Sequence, residues 1–318
     1  MTARLPLSPH SDAETIRARV LRAIAANRTP GLHFAGHFLD IQWRSVAGGA
    51  VDGTLEIGPH CGNADGTMNL MPLGLMADFA LAASGRSGIP LGARLGTVHL
   101  HLHFTGVPAA GDVEAETVLL GYSEGAKLRT SLSSGTLRAR GRTIAHIHGE
   151  FVLLDPPQGV TMSPLPWERA EPPSVVPVGV DELEPDEAAI LQTCEAALAK
   201  ASPQAAFIER LWGGEPRRSA QGATNRVAIG PHIGNRVGHV QGGLLLALAA
   251  TTACAAVPAS VMLSAISAWY LRPAQGKRLV IRSRILHAGR TISVVRTEIE
   301  ADGERVLEAV SHHAARRR

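Results

Sequence analysis

Residues 70–83 read LMPLGLMADFALAA, and Asp78 is the only charge among them. A carboxylate set among Leu, Met and Phe loses its hydration, which costs free energy unless partners replace the water. The same desolvation raises its pKa and strengthens it as a base or nucleophile. A second apolar stretch, LLLALAATTACAAV at 244–257, follows directly on Gly242-Gly243. Glycines that open a helix leave free backbone N–H groups, and the helix dipole favours negative charge there. Glycine also permits close backbone approach. Asp78 with Gly242 and Gly243 therefore suits a reaction in which a base or nucleophile acts while negative charge grows on an oxygen. Each also has a plain structural reading: a helix Asp can bond a neighbouring backbone, and a glycine pair can serve helix packing.

These residues lie on an internal repeat. Residues 58–66 read GPHCGNADG and residues 230–238 read GPHIGNRVG, identical at six of nine positions without a gap. Each copy follows a short alternating segment, VDGTLEI or TNRVAI, which predicts a strand. Each precedes one of the two apolar stretches, which predict helices apolar all round and hence buried. About four strands are expected after each helix. Their turns are signalled by Ala110-Gly111-Asp112, Ser123-Glu124-Gly125, Gln275-Gly276-Lys277 and Ala301-Asp302-Gly303. Amphipathic helices at 12–26 and 186–200 precede the copies. The expected class is α+β, each copy a buried helix wrapped by an antiparallel sheet. Two domains at 1–155 and 185–318 are expected, joined by a Pro-rich linker at 156–184 that Trp167 pins to the body. Asn63 and Asn235, with His60 and His232, recur in both copies, which points to a turn or strand-end bond.

Composition narrows the classes. The net charge is +3, with lysine only at 127, 200 and 277, and no basic block suggests nucleic acid. No apolar run reaches the roughly 20 residues of a membrane span, and Met1 to Pro9 does not resemble a signal sequence. A cytoplasmic protein is expected. Cys61, Cys194 and Cys254 are too few and too widely spaced for a disulfide framework or zinc knuckle. His99, His101 and His103 share one strand face, which favours a polar face or an interface to another chain over a metal site. There is no Walker loop, dinucleotide glycine motif or serine elbow, so no cofactor and no metal are expected.

The second copy resembles the phenylacetate-pathway branch of the hotdog acyl-CoA thioesterases. The likeness is carried by Asn235-Arg-Val-Gly-His239-Val-Gln241-Gly242-Gly243-Leu-Leu-Leu-Ala-Leu248-Ala249, by Tyr270-Leu271-Arg272-Pro273-Ala274 and by His287-Ala288-Gly289-Arg290. The first copy is a more degenerate version, and together the likeness covers roughly 40–155 and 185–313. It implies two fused hotdog domains pairing into a pseudo-dimer, with a site between them. Two departures stand out. The family's histidine is Gln241 in one copy and Asn69 in the other, and its helix carboxylate is Ala250 in one copy but Asp78 in the other.

The losses are complementary, since the first copy keeps the acid and the second keeps the glycine pair. The resemblance thus implies one composite site hydrolysing an acyl-CoA thioester, and a decayed partner of Ala250 with Asn69, Leu70 and Met71. Asp78, Gly242, Gly243, Asn235 and Gln241 are the expected catalytic residues, the last two orienting water or the carbonyl. Arg272, Arg290, Met76 and His239 are the expected substrate contacts. The coenzyme A is part of the substrate, and a homodimer of the two-hotdog chain is an expected partner state. A hotdog hydratase or dehydratase and a non-catalytic acyl-CoA binder are the alternatives.

Overall fold

The computed structural model describes residues 9–29, 33–90, 92–123, 128–156, 158–159, 162–169 and 175–315. The expected turn at Ser123-Glu124-Gly125, the linker residues Pro157, Pro172 and Pro173, and the tail 316–318 fall wholly or partly outside these.

Each repeat supplies a leading helix, a hairpin, a central helix and four long strands. In the first these are α1 (Pro9–Asn27), β1 (Gln42–Ala47), β2 (Ala50–Leu55), α3 (Leu70–Gly85), β3 (Arg94–Phe104), β4 (Val113–Tyr122), β5 (Thr130–Ala139) and β6 (Arg142–Leu154). A short helix, α2 (Phe34–Leu39), lies between α1 and β1. The second repeat has α4 (Pro185–Lys200), β7 (Arg217–Ser219), β8 (Gly222–Ala228), α5 (Gly242–Ala256), β9 (Val261–Tyr270), β10 (Arg278–Ala288), β11 (Ile292–Ala301) and β12 (Glu304–Ala315). A π-helical turn, Glu209–Gly213, takes the place of α2.

All twelve strands form one antiparallel sheet in the order β1-β2-β4-β5-β6-β3-β9-β12-β11-β10-β8-β7. The two halves mirror each other and join where β3 pairs with β9, from His99 opposite Trp269 to His103 opposite Ala265. The α+β class expected from the repeat, and the paired hotdogs that the resemblance implies, are therefore present. Matching turns close the last hairpin of each half: Arg140-Gly141 (φ 49° and 73°) and Asp302-Gly303 (φ 45° and 94°). Both residues of each pair have positive φ, as a two-residue hairpin that follows strand twist requires.

The helices α3 and α5 lie on the sheet and cross each other, each packed chiefly on its own repeat's strands. Their all-round apolar character has this cause, because one side meets the sheet and another meets the second helix. They touch at Gly74 and Gly243, where a Cβ on Gly243 would stand 2.4 Å from the Gly74 carbonyl oxygen. The outer helices α1 and α4 meet through Arg17 with Glu195 (2.6 Å) and Arg28 with Glu187 (2.7 Å). In the linker, Trp167 packs edge-on against Trp43 on β1, ring centroids 5.1 Å apart. The histidine-bearing face of β3 lies at the seam, with the His101 Nδ1 2.7 Å from the Ser267 Oγ and the His99 ring against Trp269.

Candidate active site

The repeated motif sets the entry to each central helix. In the second copy the Asn235 N–H bonds the His239 carbonyl (2.6 Å), the Gly238 N–H bonds the Asn235 carbonyl (3.0 Å), and Gly238 has φ 79°. In the first copy Asn63 and Thr67 (2.7 Å), Gly66 and Asn63 (3.0 Å), and Gly66 at φ 77° repeat the arrangement. Positive φ explains the glycine at that position. Asn235 Oδ1 accepts from the N–H groups of Val237 and His239, both at 3.0 Å. Asn235 thus shapes the loop that delivers α5, and its oxygen is committed to backbone. His60 and His232 are buried beside these loops, and burial pulls them down to about 3 and about 4.

Asp78, in the third turn of α3, is 5% exposed. Its Oδ2 accepts from the Gly243 N–H at 2.8 Å and its Oδ1 from the Thr97 hydroxyl at 3.1 Å. The first donor belongs to the helix of the other repeat, so this contact crosses between the copies. Burial pushes the carboxyl up to about 6, and the bonds from Gly243 and Thr97 act in the opposite direction. Tyr270, at the end of β9, donates its hydroxyl to the Gly242 carbonyl at 2.7 Å. Burial, and then the neighbouring Asp78, hold that phenol well above its usual range, so it remains a donor.

The glycine pair divides its work. The Gly243 N–H is already held by Asp78, and Gly243 also makes the close crossing with Gly74. Gly242 faces the cavity, and the N-cap residue Gln241 makes no capping bond to α5; its amide NH2 donates to the Gly234 carbonyl (3.1 Å). The Gly242 N–H is therefore the cavity-facing donor, with the positive end of the α5 dipole behind it.

A cavity of about 340 Å³ opens on this group. Asp78, Gly242, Asn235, Gln241, His239 and Arg272 line it. Met76 and Arg290, expected as substrate contacts, do not. Met76 is fully buried in the core, on a turn of α3 directed away from the cavity, and Arg290 lies in the exposed β10–β11 turn. The cavity also takes in Tyr270 and Arg236, which the sequence motifs contained without a role, and Thr97, His33, Arg86 and the linker residue Leu165, which sequence reasoning passed over.

The position equivalent to Asp78 is Ala250, and there the arrangement differs. Asn69 caps α3 through its Oδ1, which accepts the Met71 N–H at 2.9 Å. Its amide donates to Asn63 (2.7 Å) and to Glu209 of the π-helical turn (3.2 Å). Met71, Trp212 and Ala250 are all at most 3% exposed within one core. The N–H that would face a carboxylate is occupied by Asn69, and Ala250 itself is buried. An Ala250→Asp substitution should therefore bury a charge without a donor. We expect it to cost roughly 3 kcal/mol or more in denaturant unfolding and to add no activity.

Residues 232–314 match the family model described as the acyl-CoA thioesterase N-terminal domain. No curated protein matches the sequence. Among solved structures, one named as an oleoyl thioesterase from Lactobacillus plantarum aligns with a TM-score of 0.51 at 13% identity, covering 85% of this chain and 97% of that one. The 12:0-ACP thioesterase from Umbellularia californica aligns with a TM-score of 0.53 at 16% identity, covering 85% and 95%. At such identities the likeness is one of fold, and it extends over both repeats. The matches do not single out the phenylacetate-pathway branch. The chain thus shares the two-hotdog fold of these thioesterases, and its second repeat matches the acyl-CoA thioesterase domain model.

Proposed function

We propose that the chain hydrolyses an acyl-CoA thioester at one composite site made by Asp78 and Thr97 of the first repeat and Gly242, Gly243 and Tyr270 of the second. The observation that carries this reading is the Asp78–Gly243 hydrogen bond between the two central helices at the floor of the cavity. The 1–155 and 185–318 repeats act as the two halves of a pseudo-dimer, with the 156–184 linker between them. No cofactor beyond the substrate's own coenzyme A takes part.

The steps follow from the donors present. The thioester carbonyl lies at the α5 N-terminus with its oxygen toward the Gly242 N–H. Asp78 acts as general base: both its oxygens already accept hydrogen bonds, and each keeps a lone pair for a water. It takes a proton from that water as the hydroxide adds to the carbonyl carbon. Negative charge passes to the carbonyl oxygen, where the N–H and the helix dipole stabilise it. The C–S bond then breaks, the coenzyme leaves as thiolate, and the proton held by Asp78 is returned to it. Tyr270 and Asp78 hold the two ends of the Gly242–Gly243 peptide, its carbonyl and its N–H. Gln241 and His239 line the approach, and Arg272 stands on its rim with a side chain 61% exposed.

A base must be ionised to work, and burial raises Asp78 to about 6. We therefore expect kcat/KM to fall tenfold per pH unit below about 6 and to level off above it. Free thiol release from a panel of acyl-CoAs between pH 4.5 and 8.5 tests this. A limb near the ordinary carboxylate range, about 4, would count against Asp78 as the base. Absence of thiol release from every ester would remove the thioesterase reading.

A further inference from the structure

Three arginines of the cavity wall, Arg86, Arg94 and Arg236, are not used by the hydrolysis just described. Arg236, in the loop before α5, lines the cavity and is half-buried. One of its amino groups donates to the Ser163 carbonyl of the linker. It has no carboxylate partner among the described residues. The nearest acid of the linker, Glu168, is committed elsewhere. Its Oε1 pairs with Arg86 Nε at 3.1 Å and its Oε2 accepts from the Leu165 N–H at 2.8 Å. Of the four arginines that line the cavity, Arg86 pairs with Glu168 and Arg272 with Glu304, Arg94 bonds the Asp155 carbonyl, and Arg236 is held by the Ser163 carbonyl alone.

The other neighbours do not restore the balance. His33, on the same wall, is pulled down to about 4 by burial and then by Arg236, so it is neutral near pH 7. Asp78 is held by Gly243 and Thr97. Burial and the nearby Arg86 lower the Arg236 pKa, yet a guanidinium remains charged. Glu168 acts on Arg236 only at a distance; a half-buried cation without a bonded carboxylate is costly, and a planar anion offering two oxygens matches its fork.

Building on the thioesterase reading, we propose that Arg236 binds a carboxylate at the far end of the acyl group, so that the enzyme favours thioesters of dicarboxylic acids. The acyl group is the natural source of this anion. The pantetheine arm separates the phosphates of coenzyme A from the thioester by its whole length, which carries them out toward the rim, where Arg272 stands exposed and paired with Glu304. Arg236 lies inside, on a wall shared with the apolar Leu165 and Trp167.

The test compares matched esters, glutaryl-CoA against valeryl-CoA and adipoyl-CoA against hexanoyl-CoA, with wild type, Arg236→Gln and Arg236→Lys. A charge-assisted pair contributes roughly 10- to 100-fold. The wild type should prefer the diacid esters in kcat/KM by about that factor, the ratio should fall toward one in Arg236→Gln, and Arg236→Lys should keep part of it. N-acetylcysteamine thioesters of the same acids carry no phosphate and should show the same preference. If Arg236→Gln slows both acids equally as CoA esters and neither as N-acetylcysteamine esters, the anion is a carrier phosphate and the proposal is overturned. Brisk hydrolysis of neutral esters with no diacid preference also overturns it, while the thioesterase reading stands. If no ester is hydrolysed, that reading fails, and calorimetric binding of glutaryl-CoA against valeryl-CoA still decides whether Arg236 selects the carboxylate.

Discussion

Asp78→Asn should abolish most activity and at the same time stabilise the protein. The substitution keeps the shape of the side chain and an oxygen to accept the Gly243 N–H, but it removes the base. General-base catalysis is worth about 10²- to 10⁴-fold, so thiol release should fall by at least roughly 100-fold. The stability effect follows from the pKa. Asp78 titrates at about 6 when folded, against 3.8 as its ordinary value. A carboxyl whose folded pKa is raised favours the native state below the unfolded pKa, and that benefit is lost as pH rises through the folded pKa. Above pH 6 the wild type thus carries the cost of a buried anion, on the order of 3 kcal/mol. Asparagine does not carry it. At pH 8 the variant should have the higher Tm, and near pH 4 the difference should disappear. Thermal unfolding at the two pH values beside thiol-release rates checks both halves. Loss of activity together with loss of stability at pH 8 would make Asp78 a structural residue instead.

Gly243→Ala should give the largest loss of stability of any single methyl added at the site. Its Cβ would stand 2.4 Å from the Gly74 carbonyl oxygen and 2.7 Å from the Leu75 Cα. Both obstacles are backbone of a buried helix, so only separation of α3 from α5 relieves them. Overpacking costs typically about 1–3 kcal/mol and sometimes more, and this case belongs at or above the upper end. Activity should fall as well, because the same shift draws the Gly243 N–H away from Asp78. Gly242→Ala is the contrast. Its Cβ would meet the Thr97 Oγ1 at 2.7 Å and the Asp78 Oδ2 at 2.9 Å. These are side-chain atoms that can turn aside, so stability should change little while hydrolysis suffers. Urea midpoints and thiol-release rates for the two variants separate packing from chemistry.

Much of the frame was legible because burial and repetition leave marks in a sequence. Two apolar stretches behind a repeated nine-residue motif announced two buried helices, and the turn residues announced the hairpins after them. Asp78 stood out as a lone charge among apolar side chains, where it must have partners. Other features left no such mark. The hairpin strand β7 is three exposed residues, Arg217–Ser219, and shows no alternation. The helix α2 and the π-helical turn at Glu209–Gly213 are too short for a helical period to show. Thr97 reaches Asp78 from a strand, a contact set by how α3 docks on the sheet. Tyr270 was visible as part of a signature, but its hydrogen bond to Gly242 depends on where β9 ends relative to α5. Nothing in the sequence sets Arg86 apart from Arg236; the linker residue Glu168 pairs with the first and not the second because of how the linker lies on the body. Met76 illustrates the opposite error. Its flexible side chain suits an acyl pocket, but its turn of α3 faces the core.

The central claim is that two repeats share one site. In the other half the equivalent donor is capped by Asn69, and Ala250, Met71 and Trp212 are all buried in the core. The most direct measurement is calorimetric titration of the full chain with a thioether analogue of an acyl-CoA, which binds but cannot be hydrolysed. The account predicts one analogue bound per chain, with the heat lost in Gly243→Ala. Two equivalent analogues bound per chain would contradict it, because both half-sites would then be open.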